Sequence, residues 1–238
     1  GTDVAREASK IVLLDDNFAS IVAAIKEGRT QFSNLRRASF FLIMTNVAES
    51  AALLFALLLG YPLPLLPIQI LWLNILTGGL TDFALSLEPS HSAAMQVPPR
   101  SPKENILSTQ VLPFIGIVTL ATIILSLGVF HYMLPAGIEK ARAALFVMLA
   151  ASQLLNMFNL RSLKKSVFTL GLFTNKPVVV VFFISLLLLF VAVSFEPLRN
   201  MLQFGVLSLK EIVMLLCISS GIFVIAELAK LLGTHTDD

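Results

Sequence analysis

Six apolar stretches, each close to twenty residues long, run from Ala38 to the C-terminal end and confine this chain to folds that a bilayer can host. They lie at about 39–60, 65–87, 110–133, 143–161, 177–195 and 210–232. A helix needs about 20 mainly apolar residues to cross roughly 30 Å of hydrocarbon. The composition agrees. Of 238 residues, 56% are hydrophobic and only 13% charged, with a mean hydropathy of +0.86. A soluble domain carries about 25% charged residues, so this chain lacks the polar surface to cover a water-soluble globule. A soluble enzyme, a disordered chain and a charged tail protein are excluded. The lone Cys217 rules out an intramolecular disulfide and a cysteine-paired zinc site. A net charge of +2 is too small to argue for a nucleic-acid partner.

The N-terminal residues differ. Residues 1–31 mix charges with apolar residues and do not form a signal peptide. Ile11-Val12-Leu13-Leu14 before Asp15-Asp16-Asn17 reads as a buried strand closed by a turn. Asp16 or Asn17 then caps a helix in which Phe18, Ile21, Val22 and Ile25 recur at helical spacing. The expected fold is an all-α polytopic membrane protein with six transmembrane helices, preceded by a short cytoplasmic strand-helix remnant of an α/β domain. Residues 1–37 form that remnant and stalk, and residues 38–238 the membrane domain. The longest internal loop, about 88–109, contains Pro89, Pro98, Pro99 and Pro102 and reads as irregular chain.

Six spans place both ends on one side, and 13 of the 17 Lys and Arg residues then fall on that side. The positive-inside rule makes it cytoplasmic.

Polar residues at membrane depth mark the chemistry, because a charge at the centre of a span costs about 2.5–3.5 kcal/mol on insertion scales. Glu49 stands mid-way along the first span, with Asn46 three residues before it. In the second span Asn74 and Thr77 repeat that spacing, Gly78-Gly79 interrupts the helix, and Asp82 follows. Glycines at this depth can free backbone carbonyls or allow close helix packing. Carboxylates, amide oxygens, a hydroxyl and carbonyls are the ligands that hard cations such as Ca²⁺ prefer. Asp82 fits either a ligand or an entrance group nearer the cytoplasm. Gln153 on the fourth span is deep enough to complete a site, and polar packing explains it as well. Asn159 marks the interface beside Arg161, Glu227 pairs with Lys230, and Ser185, Ser219 and Ser220 satisfy local carbonyls. His91 and His131 have no ligand partners at metal spacing.

The order of these motifs resembles one family closely. Gly1-Thr-Asp-Val-Ala-Arg-Glu-Ala-Ser, Ile11-Val-Leu-Leu-Asp-Asp-Asn-Phe and Ala23-Ala-Ile-Lys-Glu-Gly-Arg29 are similar to the end of the phosphorylation domain of P-type cation-transporting ATPases. Asn46-Val-Ala-Glu49 resembles the Asn-Val-x-Glu motif in the fifth transmembrane helix of the type II pumps. The segment Ile68–Leu80 resembles the sixth helix, and Ser152-Gln153 with Asn156 and Asn159 the eighth. The resemblance implies that the six spans are helices five to ten of a ten-helix pump, with Asn46, Glu49, Asn74 and Thr77 contributing to cation binding and Gln153 at a ligand position of calcium pumps. Gly78 departs from the family pattern, which places an aspartate there, and Asp82 stands one turn later.

The Asp-Lys-Thr-Gly-Thr motif that carries the phosphorylated aspartate does not occur in the chain. This piece is therefore expected to be inactive alone. ATP and Mg²⁺ would belong to the missing N-terminal pump domains. The implied protein is an ATP-driven cation translocase of the plasma membrane, with Ca²⁺ favoured. Na⁺, K⁺ or H⁺ pumping, a passive channel or secondary transporter, and a non-transport anchoring module are the alternatives. A channel has no reason to carry the segment Thr2–Arg29.

Overall fold

The computed structural model describes residues 2–14, 17–89, 95, 111–163 and 165–231. A short helix α1 (Asp3–Ala8) is followed by α2 (Phe18–Leu58), 41 residues without a break. At 1.5 Å per residue α2 is about 60 Å long, twice the hydrocarbon thickness, so half of it projects beyond the membrane. Asn17 Oδ1 accepts from the Ala19 N–H at 3.0 Å and starts it. A Schellman turn ends it. Gly60 takes φ +79°, its N–H meets the Leu57 carbonyl, and the Tyr61 N–H meets that of Ala56, both at 3.0 Å.

The second span is assembled from α3 (Pro67–Asn74), a π-helical turn (Ile75–Gly79) and α4 (Leu80–Ser86). Then come α5 (Leu112–Met133), α6 (Ile138–Asn159), the short α7 (Val167–Leu170), α8 (Lys176–Ser194), α9 (Glu196–Met201) and α10 (Leu209–Leu231). Among the described residues six helices are thus long and apolar enough to cross a membrane, close to the expected spans.

The strand expected at Ile11–Leu14 does not form, and no strand occurs among the described residues. Ile11 and Leu14 are 83% and 97% exposed. A strand needs a partner edge for its backbone groups and a core for its apolar face. Neither is offered here, so the strand half of the remnant is absent. Asp16 and nearly all of the 88–109 loop lie outside the described residues, His91 included.

At the centre stands α6, whose span is 89% buried, against 28–44% for the other five. It packs against α5, α8 and α10. The core around it is built from Phe41, Phe114, Phe130, Phe146 and Met148, all nearly inaccessible.

The two faces of the bundle are closed by different chemistry. At the N-terminal end of α6, Lys140 pairs with Glu211 at 2.7 Å, and the Gly205 N–H donates to the Glu139 carbonyl at 3.0 Å. A Cβ on Gly205 would lie 2.6 Å from the Lys140 backbone nitrogen, which cannot move aside as a flexible side chain could. Gly205→Ala is expected to cost about 1–3 kcal/mol through overpacking. A thermal unfolding midpoint in detergent equal to wild type would contradict this.

The basic face carries a buried polar hub. Arg161 reaches both oxygens of Glu88 through Nε (3.2 and 3.0 Å) and Oε1 through Nη2 (2.9 Å). Its Nη1 donates to the Gly171 carbonyl and its Nη2 to Thr174 Oγ1. Asn175 Nδ2 donates to Glu88 Oε2 at 2.6 Å while Asn175 Oδ1 caps α8. Asn34 Nδ2 donates to the carbonyls of Ser86 and Glu88 at 2.9 and 2.8 Å, tying α2 to the end of α4.

Candidate cation site

Three neighbouring elements carry the oxygen-bearing side chains. α2 supplies Asn46 and Glu49; the span from α3 through the π turn to α4 supplies Asn74, Thr77 and Asp82; α6 supplies Gln153. α2 packs along α4, and α6 touches α2, α3, the π turn and α4. The carriers are therefore mutual neighbours.

Their side chains divide into two groups. Glu49, Thr77 and Gln153 are buried at 6%, 1% and 5% exposure, and Asp82 is half-buried. Asn46 and Asn74 are exposed. Asn46 turns back on its own helix, where Nδ2 donates to the Leu42 carbonyl at 2.8 Å. In both i, i+3 pairs the first residue is exposed and the second buried, so neither pair shares one environment. Three residues advance a helix by about 300°, roughly 60° short of a turn, and that offset puts each pair across the edge of the buried stripe.

The second span holds an unusual share of unsatisfied polarity. Trp72 Nε1, Thr81 Oγ1 and Asp82 Oδ1 are each sealed from solvent without a hydrogen-bond partner. Glu49 is 6% exposed and makes no hydrogen bond among the described residues, but its oxygens are not among these fully sealed atoms. Buried polar groups are ordinarily paired, and leaving one unmade costs about 1–3 kcal/mol. No group of three or more His, Cys, Asp or Glu occurs among the described residues. The available chemistry is two carboxylates with neutral oxygens.

The backbone between them is widened, not unwound. Gly78 and Gly79 fall in the π turn, a geometry that often marks functional positions within α-helices. A Cβ on either glycine would meet nothing within 4 Å, so no close helix contact among the described residues requires the pair. Thr77 Oγ1 donates to the Leu73 carbonyl at 2.8 Å. From α8, Ser185 Oγ donates to the Leu76 carbonyl at 2.8 Å. The sequence reading assigned Ser185 to a local carbonyl, and the structure corrects that: its acceptor lies 109 positions away. Ser220 does bond within its own helix, to Leu216, and Lys230 Nζ meets Glu227 Oε1 at 2.6 Å as expected. Asn159, placed at the interface by the sequence reading, is fully buried and bonds Asn156 and the Phe223 carbonyl.

The six long apolar helices define an integral membrane protein. The family model described as "Cation transporting ATPase, C-terminus" matches residues 62–232, and the chain belongs to that family of P-type ATPases. It is 38% identical to "Calcium-transporting ATPase 1" of Bacillus cereus, over 97% of this chain and 28% of that protein. It is 40% identical to "Calcium-transporting ATPase" of Bacillus subtilis, over 84% and 23% respectively. Against "Calcium-transporting ATPase type 2C member 1" of Bos taurus the identity is 31%, over 97% and 24%. The chain spans about a quarter of the length of these relatives.

Proposed function

We propose that this chain forms the ion-binding part of the membrane domain of an ATP-driven cation pump, with Ca²⁺ as cargo. Glu49, Thr77, Asp82 and Gln153 supply the inward ligand oxygens, Asn46 and Asn74 join the set from the exposed edge of the same helices, and Glu49 and Asp82 supply the charge. The observation that carries the reading is two carboxylates at membrane depth on the packed helices α2 and α4, beside a π turn, with Asp82 Oδ1 buried and unpartnered. A bound cation repays that desolvation. The calcium pumps among the relatives favour Ca²⁺ over other hard cations.

In this reading residues 1–37 belong to the phosphorylation domain and stalk, and residues 38–238 to the membrane domain. Both termini face the cytoplasm, and the pump sits in the plasma membrane. ATP and Mg²⁺ act in other parts of the pump, so the chain alone is inactive. The unbroken α2 is the transmitting element. Displacement of its projecting half shifts Glu49, and the Asn34 bonds to the Ser86 and Glu88 carbonyls carry the same movement to the end of α4. A proton replaces the released cation, because a bare buried carboxylate is expensive.

The test is the ion dependence of ATP hydrolysis by the complete pump. Ca²⁺ is expected to stimulate it, and Asp82→Asn to raise the Ca²⁺ concentration for half-maximal stimulation by about tenfold or more. Stimulation by Na⁺ or K⁺ with Ca²⁺ inert would exclude the calcium assignment. An unmoved Ca²⁺ dependence in Asp82→Asn would remove that residue from the site.

A further inference from the structure

The π turn sets where Asp82 points. An i→i+5 turn within an α-helix accommodates one extra residue, and each residue of an α-helix turns about 100°. Residues after Gly79 are therefore rotated relative to Asn74 and Thr77 by about that angle, compared with an unbroken helix. Something must favour the wider turn, since regular i→i+4 bonding is the default winding of this segment.

Ser185 is placed to do so. It is fully buried on α8, the helix that packs against both α4 and the π turn. A serine within a span commonly returns its hydroxyl to the carbonyl one turn back on its own helix. Ser185 crosses to the Leu76 carbonyl inside the π turn instead, at 2.8 Å. Leu76 is itself fully buried, so water cannot replace this donor.

We infer that Ser185 is a positioning residue whose hydroxyl, donated to the Leu76 carbonyl, holds the widened turn and thereby the angular phase between Thr77 and Asp82. The inference rests on the cation site proposed above. Without the hydroxyl, the Leu76 carbonyl is better served by rewinding to i→i+4 bonding, which swings Asp82 away from its partners.

The experiment compares Ser185→Ala, Ser185→Cys and Ser185→Thr in the complete pump, reading phosphorylation from ATP against Ca²⁺ concentration. Ser185→Ala is expected to raise the half-maximal Ca²⁺ concentration about three- to tenfold, the range that one hydrogen bond commands. Turnover at saturating Ca²⁺ stays within about twofold of wild type. Ser185→Thr, which keeps the hydroxyl, restores the Ca²⁺ dependence, and Ser185→Cys, a weaker donor of similar size, falls between. Equal shifts in Ala and Thr, or a loss of turnover without a shift, would overturn the inference by making the role one of packing. Amide exchange of residues 75–82 in the 238-residue chain judges the turn separately: faster exchange in Ser185→Ala than in Ser185→Thr supports the hydrogen bond, and equal exchange overturns it. A wild-type pump that Ca²⁺ does not stimulate refutes the cation site, while the exchange result still decides the role of Ser185.

Discussion

Glu49→Gln is expected to weaken Ca²⁺-dependent phosphorylation of the complete pump on the order of 100-fold while leaving the resting protein as stable as wild type or more so. The two effects have opposite signs for one reason. At 6% exposure and with no hydrogen bond among the described residues, the Glu49 carboxyl is largely withdrawn from water with little compensation. Glutamine has the same shape and no charge, so the unloaded protein sheds that penalty. The loaded protein loses one of the two carboxylates among the proposed ligands, and the charge count of the ligands is what tunes affinity in oxygen-ligated Ca²⁺ sites. Ca²⁺-stimulated phosphorylation and a thermal unfolding midpoint in detergent read the two effects on one preparation. Unchanged Ca²⁺ affinity would remove Glu49 from the site, and a large fall in the midpoint would make its role structural.

Arg161→Ala attacks the fold from the other end. The Arg161 and Glu88 side chains are each 1% exposed and joined through both carboxylate oxygens. Removing the guanidinium leaves the Glu88 carboxylate buried with only the Asn175 amide as a side-chain donor, a situation that costs about 3–5 kcal/mol. The Gly171 carbonyl and Thr174 hydroxyl lose a donor at the same time. The variant should accumulate poorly and melt well below wild type. Adding Glu88→Gln should recover part of the loss, because the stranded charge disappears. Additive losses in the double variant would show that the two groups do not act as a pair. The hub joins the ends of α4 and α6 to the start of α8, so its loss should also loosen the anchorage of the span that carries Asp82.

The six spans were legible from local information because each is a continuous apolar run of membrane length, a property that no neighbour has to supply. Family membership was legible for a similar reason: Asn46-Val-Ala-Glu49 and Asn74 to Leu80 are short, linear and in order. The strand at Ile11–Leu14 failed because a β assignment depends on partner strands, which the apolar pattern of four residues cannot report. Glu88, Arg161 and Asn175 escaped notice as a unit for want of any local signal. Glu88 and Arg161 lie 73 positions apart, and only folding makes them touch.

What the sequence by itself determined is which residues enter the membrane and which of them carry oxygen, since transfer from water to hydrocarbon is a property of each segment. The tertiary structure decided how those oxygens are used: Glu49, Thr77 and Gln153 inward, Asn46 and Asn74 outward, and Ser185 across to the Leu76 carbonyl. Those outcomes depend on the angle at which each helix meets its neighbours and on one widened turn, and rotations of 60–100° about a helix axis leave no trace in the order of the residues.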